Sequence, residues 1–116
     1  MIFDENDIEF DLDGPTPLEQ LITLLLISAA KTGATTVRFD PTFDGLHVQT
    51  LNSNEWSYLP DTDPIPSRLV VAILAHLHAV SNAGEALDVR ELEIEPKMDF
   101  YSNEFGEGVI LKLHPR

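Results

Sequence analysis

Cysteine is absent from this sequence. Disulfides, thiolate metal sites and cysteine nucleophiles are therefore excluded, and the chain is compatible with a reducing compartment. Basic residues are scarce: seven Lys and Arg stand against twenty Asp and Glu, for a net charge of −13. A phosphate backbone needs a basic face, so sequence-independent nucleic-acid binding is not expected. Anionic membrane surfaces are disfavoured for the same reason, whereas a basic partner protein would suit the field. Long apolar runs are missing too. The longest uncharged one, Leu21 to Ala30, falls short of the roughly 20 residues that span a bilayer. The opening "MIFDENDIEF" has neither a basic n-region nor an apolar h-region, so it does not read as a signal peptide. The expectation is a cytoplasmic protein without membrane insertion.

What is present suits a packed domain. The chain has 116 residues, 43% of them hydrophobic, which is enough for one domain spanning 1–116. "DIEFDLDG" alternates Ile8, Phe10 and Leu12 with acids, the period of a half-buried strand with an acidic outer face, within an N-terminal segment 1–14. Thr16, Pro17 and Glu19 then form a helix start, with Thr16 as N-cap, Pro17 at the first helical position and Glu19 completing a capping box. Gly33 marks the stop, so the spacing predicts a helix from about Pro17 to Thr32. Leu18, Leu21, Ile22, Leu25 and Ala29 make its apolar face. Leu24 and Ile27 lie on another side, which suggests deep burial or contact with a second body.

Three strand-like segments follow. Val37 and Phe39 alternate with Thr36 and Arg38; after the turn "DPTFDG", Leu46, Val48 and Thr50 alternate with His47, Gln49 and Leu51. In "EWSYLP", Trp56 and Tyr58 share a face. A residue before proline avoids helical angles, so Ile65 is non-helical and a second helix runs from Pro66 or Ser67 to between Asn82 and Gly84. Leu69, Val70, Ile73, Leu77 and Val80 form its apolar face. Leu87 and Val89 differ in parity from Leu92 and Ile94, which predicts a bulge or bend near Arg90–Glu91. "KMDFY" and "GVILKL" read as two more strands. The expected order is β-α-β-β-β-α-β-β(-β), an α+β fold with two helices packed on a mainly antiparallel sheet.

Motifs for chemistry are sparse. There is no G-x-x-x-x-G-K-[ST] and no G-x-G-x-x-G, so the standard phosphate loops are lacking. His76 and His78 are two apart on a helix and point about 200° apart, so they cannot share an ion. His76 flanks the apolar face and reads as partly buried; His78 reads as exposed. His47 sits on the polar side of its strand, and His114 near the C-terminus. "DENDIEFDLDG" lacks calcium-loop spacing. No serine occupies a G-x-S-x-G elbow. Asp40, Asp44, Asp88 and Glu91 read as solvated or turn residues. No catalytic residue, cofactor, metal or nucleotide is expected. Trp56 and Tyr58 are of the type that gathers at pockets and interfaces.

The stretch "TPLEQLITLLLISAAKTGATTVRFDPTFDGLHVQ" resembles a segment of the type II secretion and type IV pilus assembly ATPases. In that family a proline-led apolar helix ends in "GASDIHFEP"-like residues followed by "DGLRVRFRIDG". "TTVRFDP" (Thr35 to Pro41) and "DGLHVQ" (Asp44 to Gln49) stand at those two strands. "WSYLP" and the helix from Pro66 fit the next strand and helix, and "GEGVILKLH" (Gly106 to His114) looks like the strand leading into the ATPase core. The resemblance covers 15–114 and implies the family's accessory module, a PAS-like sandwich, without the ATPase core. It implies loss of nucleotide contact as well: where the family carries arginines, this chain has Gln49 and Leu51, preceded by His47, and none of these offers a fixed cation.

These readings lead to a non-catalytic protein-interaction or regulatory domain, with a self-associating, oligomerising adaptor among the forms expected, and with Leu24 and Ile27 as the candidate docking surface. The alternative is a PAS-like small-ligand sensor, with Trp56, Tyr58 and His76 lining a pocket between helix and sheet.

Overall fold

The computed structural model describes residues 16–60, 62–84, 87–89 and 92–115. The expected N-terminal strand with Ile8, Phe10 and Leu12 lies outside the described residues, as do Arg90 and Glu91. In chain order the elements are α1 (Pro17–Lys31), β1 (Thr36–Thr42), β2 (Gly45–Asn52), β3 (Glu55–Tyr58), α2 (Ser67–Ala83), β4 (Leu87–Val89), β5 (Leu92–Ile94), β6 (Asp99–Asn103) and β7 (Gly106–Pro115). This is an α+β fold, as the sequence predicts: among the described residues, two helices and an antiparallel sheet of seven strands.

The sheet is built around β7, the longest strand at 10 residues. One side of β7 pairs with β1, from Thr36↔Lys112 to Phe39↔Val109, and the sheet continues through β2 to β3. The other side pairs with β6 near the start of β7 and with β5 near its end. From Ile94↔Leu113 to Asp99↔Ile110 the chain takes five steps on one side against three on β7. The two extra residues form a bulge that contains Pro96, whose missing N–H suits an interruption of the ladder.

Period two sorts the side chains. Val37, Phe39, Leu46, Val48, Val109, Leu111 and Leu113 share one face and are buried with Ile22, Leu25, Leu26 and Ala29 of α1 and Ile73, Leu74 and Leu77 of α2. Both helices therefore lie on this face. The helix ends follow the chain chemistry: Thr16 Oγ1 accepts from the Glu19 N–H at 3.2 Å, and Gly84 closes α2 at φ 71°, a left-handed angle glycine adopts without strain.

Two open alternatives are decided here. Of the two alternatives for Ile27, burial or contact with a second body, the structure shows it half-buried against the core, because α1 has α2 as well as the sheet beneath it. Of the bulge or bend expected after Val89, the strand pairing corresponds to the bend. Val89 pairs with Leu92 and Leu87 with Ile94, so β4 and β5 are antiparallel partners two residues apart.

Candidate functional site

The sheet face opposite the helices carries the other parity. Four strands place one cross-row there: Tyr58 lies opposite Gln49, Gln49 opposite Arg38, and Arg38 opposite Ile110. Residues directly opposite on antiparallel strands project to the same side. Arg38 is the centre of this face. Its Nε donates to Gln49 Oε1 at 2.6 Å, and its guanidinium carbon lies 4.2 Å from the centre of the Trp56 ring. That spacing is within the range of a cation–π contact. The Gln49 side chain is buried. His47 and Tyr58 pack with ring centroids 5.2 Å apart, and Tyr58 is 62% exposed.

A second row crosses β7 at Gly108. Tyr101 pairs with Gly108, and the Tyr101 hydroxyl reaches over it to donate a short hydrogen bond to Asp40 Oδ1 on β1. A Cβ on Gly108 would stand 2.5 Å from Tyr101 Cζ and 2.7 Å from the Phe39 carbonyl oxygen. Glycine is what lets the ring lie flat across the central strand. Burial, and then the Asp40 carboxylate, push the Tyr101 phenol well above its usual range. At the edge of the face Asp44 accepts from Thr42 Oγ1 at 2.5 Å and lies 2.9 Å from His47 Nε2. The Thr42 hydroxyl first, and His47 second, hold the Asp44 carboxyl below the ordinary value.

The structure separates the sequence-predicted site residues. Trp56 and Tyr58 share the open face. His76, half-buried on α2, is on the helix side of the sheet, so the three do not line one cavity. Leu24 is 43% exposed on α1, and its predicted companion Ile27 is turned to the core. His78, expected to be exposed, is half-buried instead. It stacks on Phe100 with centroids 3.8 Å apart, and its Nε2 lies 2.7 Å from Glu107 Oε1. The cause is the path of α2 over β6 and β7, which brings a helix position outside the main apolar stripe down onto the sheet. Asp44 is in a turn, as expected; Asp40 is not simply solvated, being the acceptor for Tyr101.

Sequence reasoning missed Arg38, Gln49, Asp40 and Tyr101 as a connected set. The signal available was parity: Arg38, Asp40 and Gln49 all fall on the polar side of their strands, but their lateral neighbours depend on register. Among the described residues, no group of three or more His, Asp or Glu is placed to hold a metal ion, and no helix is long and apolar enough to cross a membrane. A shallow depression of about 400 Å³ lies at the far end of β1 and β7, lined by Thr35, Thr36, Lys112, Leu113 and His114. It includes none of Trp56, Tyr58 or His76. Comparison with protein-family models gives no match, and comparison with curated proteins gives none.

Proposed function

We propose that this chain is a protein-docking domain without catalysis of its own, and that it docks through the open sheet face. The observation that carries this reading is the Trp56–Arg38–Gln49 assembly beside exposed Tyr58. Trp, Tyr and Arg are the residue types on which binding energy concentrates at protein interfaces. Here they are held by ring contacts and a hydrogen bond, so little side-chain freedom remains to be lost on association. Neither helix lies on this face.

The kinship with secretion and pilus ATPase accessory modules, and the PAS-like description, belong to the same proposal. The order of elements supports them: "TTVRFDP", "DGLHVQ", "WSY", the helix after Pro66 and "GVILKL" form β1, β2, β3, α2 and β7. Gln49, at a position where the family carries an arginine, spends its carboxamide on Arg38. That use fits a relative that has exchanged nucleotide contact for docking. The small-ligand sensor reading is disfavoured, because Trp56 and Tyr58 are on the opposite side of the sheet from His76.

Photo-crosslinking tests the docking face. With a benzophenone side chain replacing Tyr58, expressed in the native cell, we expect one discrete adduct; a second copy of this chain or a cytoplasmic partner would both count. A probe at Leu24 is the comparison. Adducts at Leu24 alone would move the interface to α1, and adducts at neither position would end the docking proposal.

A further inference from the structure

The end of the sheet where β1 turns into β2 and β6 into β7 carries two exposed phenylalanines. Phe43 is 85% exposed and Phe105 52%. They are far apart in sequence, and the register brings their turns together. Asn103 joins the two: its Nδ2 donates to the Pro41 carbonyl at 3.1 Å, and its Oδ1 accepts from the Phe105 N–H at 2.8 Å. A Cβ on Gly106 would lie 3.9 Å from Pro41 Cβ, so the hairpins also approach closely beside the tips. Thr42 Oγ1 ties the first turn to Asp44 and to the Gly45 carbonyl, at 2.5 and 3.2 Å.

A third exposed apolar side chain lies on α2. Val71, 76% exposed, is seven residues before His78 on α2 and so on the same helical stripe. His78 bonds to Glu107, next to the β6–β7 turn. The Leu46↔Ile65 bridge brings the chain just before α2 to the first residues of β2, next to the other turn. Val71 is thus on the flank of α2 from which His78 reaches Glu107.

Each phenylalanine has an acid as its sequence neighbour, Asp44 after Phe43 and Glu104 before Phe105. A ring flanked by a carboxylate attracts a guanidinium or ammonium twice, through the ring face and through the charge. The net charge of −13 opposes a second copy of this chain and an anionic lipid surface alike. We propose that the two clamped hairpin tips, Phe43–Asp44 and Glu104–Phe105, together with Val71, form a docking site for a polypeptide segment that alternates cationic and aliphatic side chains. Its arginines or lysines lie against the rings and carboxylates, and its aliphatic side chains meet Val71. This surface is distinct from the open sheet face, and neither depends on the other.

The probe is a fluorescent ten-residue peptide of alternating Arg and Leu, with the alternating Glu-Leu peptide as control, read by anisotropy. The Arg-Leu peptide should bind and the control should not. Phe43→Ser with Phe105→Ser should weaken binding about tenfold with an unchanged circular dichroism spectrum. Asp44→Asn with Glu104→Gln should weaken it by roughly threefold and flatten its salt dependence. Tyr58→Ser, on the open face, should bind as the wild type does, which separates this site from the one above. No binding of the Arg-Leu peptide, equal binding of both peptides, or binding untouched by the double phenylalanine variant would each overturn the proposal. So would co-sedimentation with neutral phosphatidylcholine vesicles that the double phenylalanine variant loses, since that would assign the tips to a lipid surface.

Discussion

Tyr101, Gly108 and Asp40 show how one absent side chain positions two others. The hydrogen bond runs between β6 and β1, across a central strand that contributes only a glycine there. A hydrogen bond to a carboxylate at a half-buried site contributes about 1 kcal/mol net. Tyr101→Phe should therefore lower stability by about that amount at pH 7, measured by urea unfolding. The pH dependence follows from the direction of the shift. The folded phenol ionises above its unfolded value near 10, so its contribution is complete below that pH and is lost as pH rises through the folded value. The gap between wild type and Tyr101→Phe should shrink above pH 10; a gap that is constant to pH 11 would show that Asp40 is not its source. Asp44 works in the opposite sense. Its lowered carboxyl contributes above the ordinary carboxylate range and ceases to do so as pH falls through the folded value.

Among the elements, α2 does the most to join the parts of the fold. Its buried stripe of Ile73, Leu74 and Leu77 reaches the core, while His78 reaches β6 and β7 through Phe100 and Glu107. The β6 strand pairs with β7 on one side and lies off the main path of the sheet; Tyr101 and Asn103 tie it by side-chain hydrogen bonds to β1. His78→Ala should lower global stability by about 1 kcal/mol, the scale of an aromatic stacking contact. More diagnostic is the location of the effect. Amide exchange should accelerate first in β6, at Phe100 to Ser102, before the β1–β2 ladder changes. Uniform acceleration across the sheet would mean that His78 acts on α2 alone. Glu107→Gln should have a smaller effect, because the pair is partly exposed and solvent screens it.

At the scale of the whole molecule, charge is the dominant feature. A net −13 on 116 residues favours solubility and opposes compactness. Salt should therefore stabilise this fold. Raising NaCl from about 20 mM to about 500 mM shortens the Debye length from roughly 20 to 4 Å, and the melting temperature should rise by a few degrees. A fall would indicate that local pairs such as His78–Glu107 and His114–Glu95 outweigh the general repulsion. The same field selects partners, and the hairpin-tip site should prefer cationic ones.

Period and punctuation alone determined the elements. Thr16, Pro17 and Gly33 bound α1, Pro66 and Gly84 bound α2, and alternation identified β1 and β2, because helix and strand periods are local properties of the backbone. Composition likewise excluded thiol chemistry without any structure. Lateral position was not legible in this way. Whether Ile27 or Leu24 faces the core depends on where α2 packs, and whether His78 is free depends on which strands α2 crosses. Arg38 meets Trp56, Tyr101 meets Asp40, and Asn103 meets Pro41 only through the register of non-adjacent segments. Those contacts join residues 18 to 62 positions apart. Pairing register is set by the fit of all strands to one core at once, which no local pattern encodes.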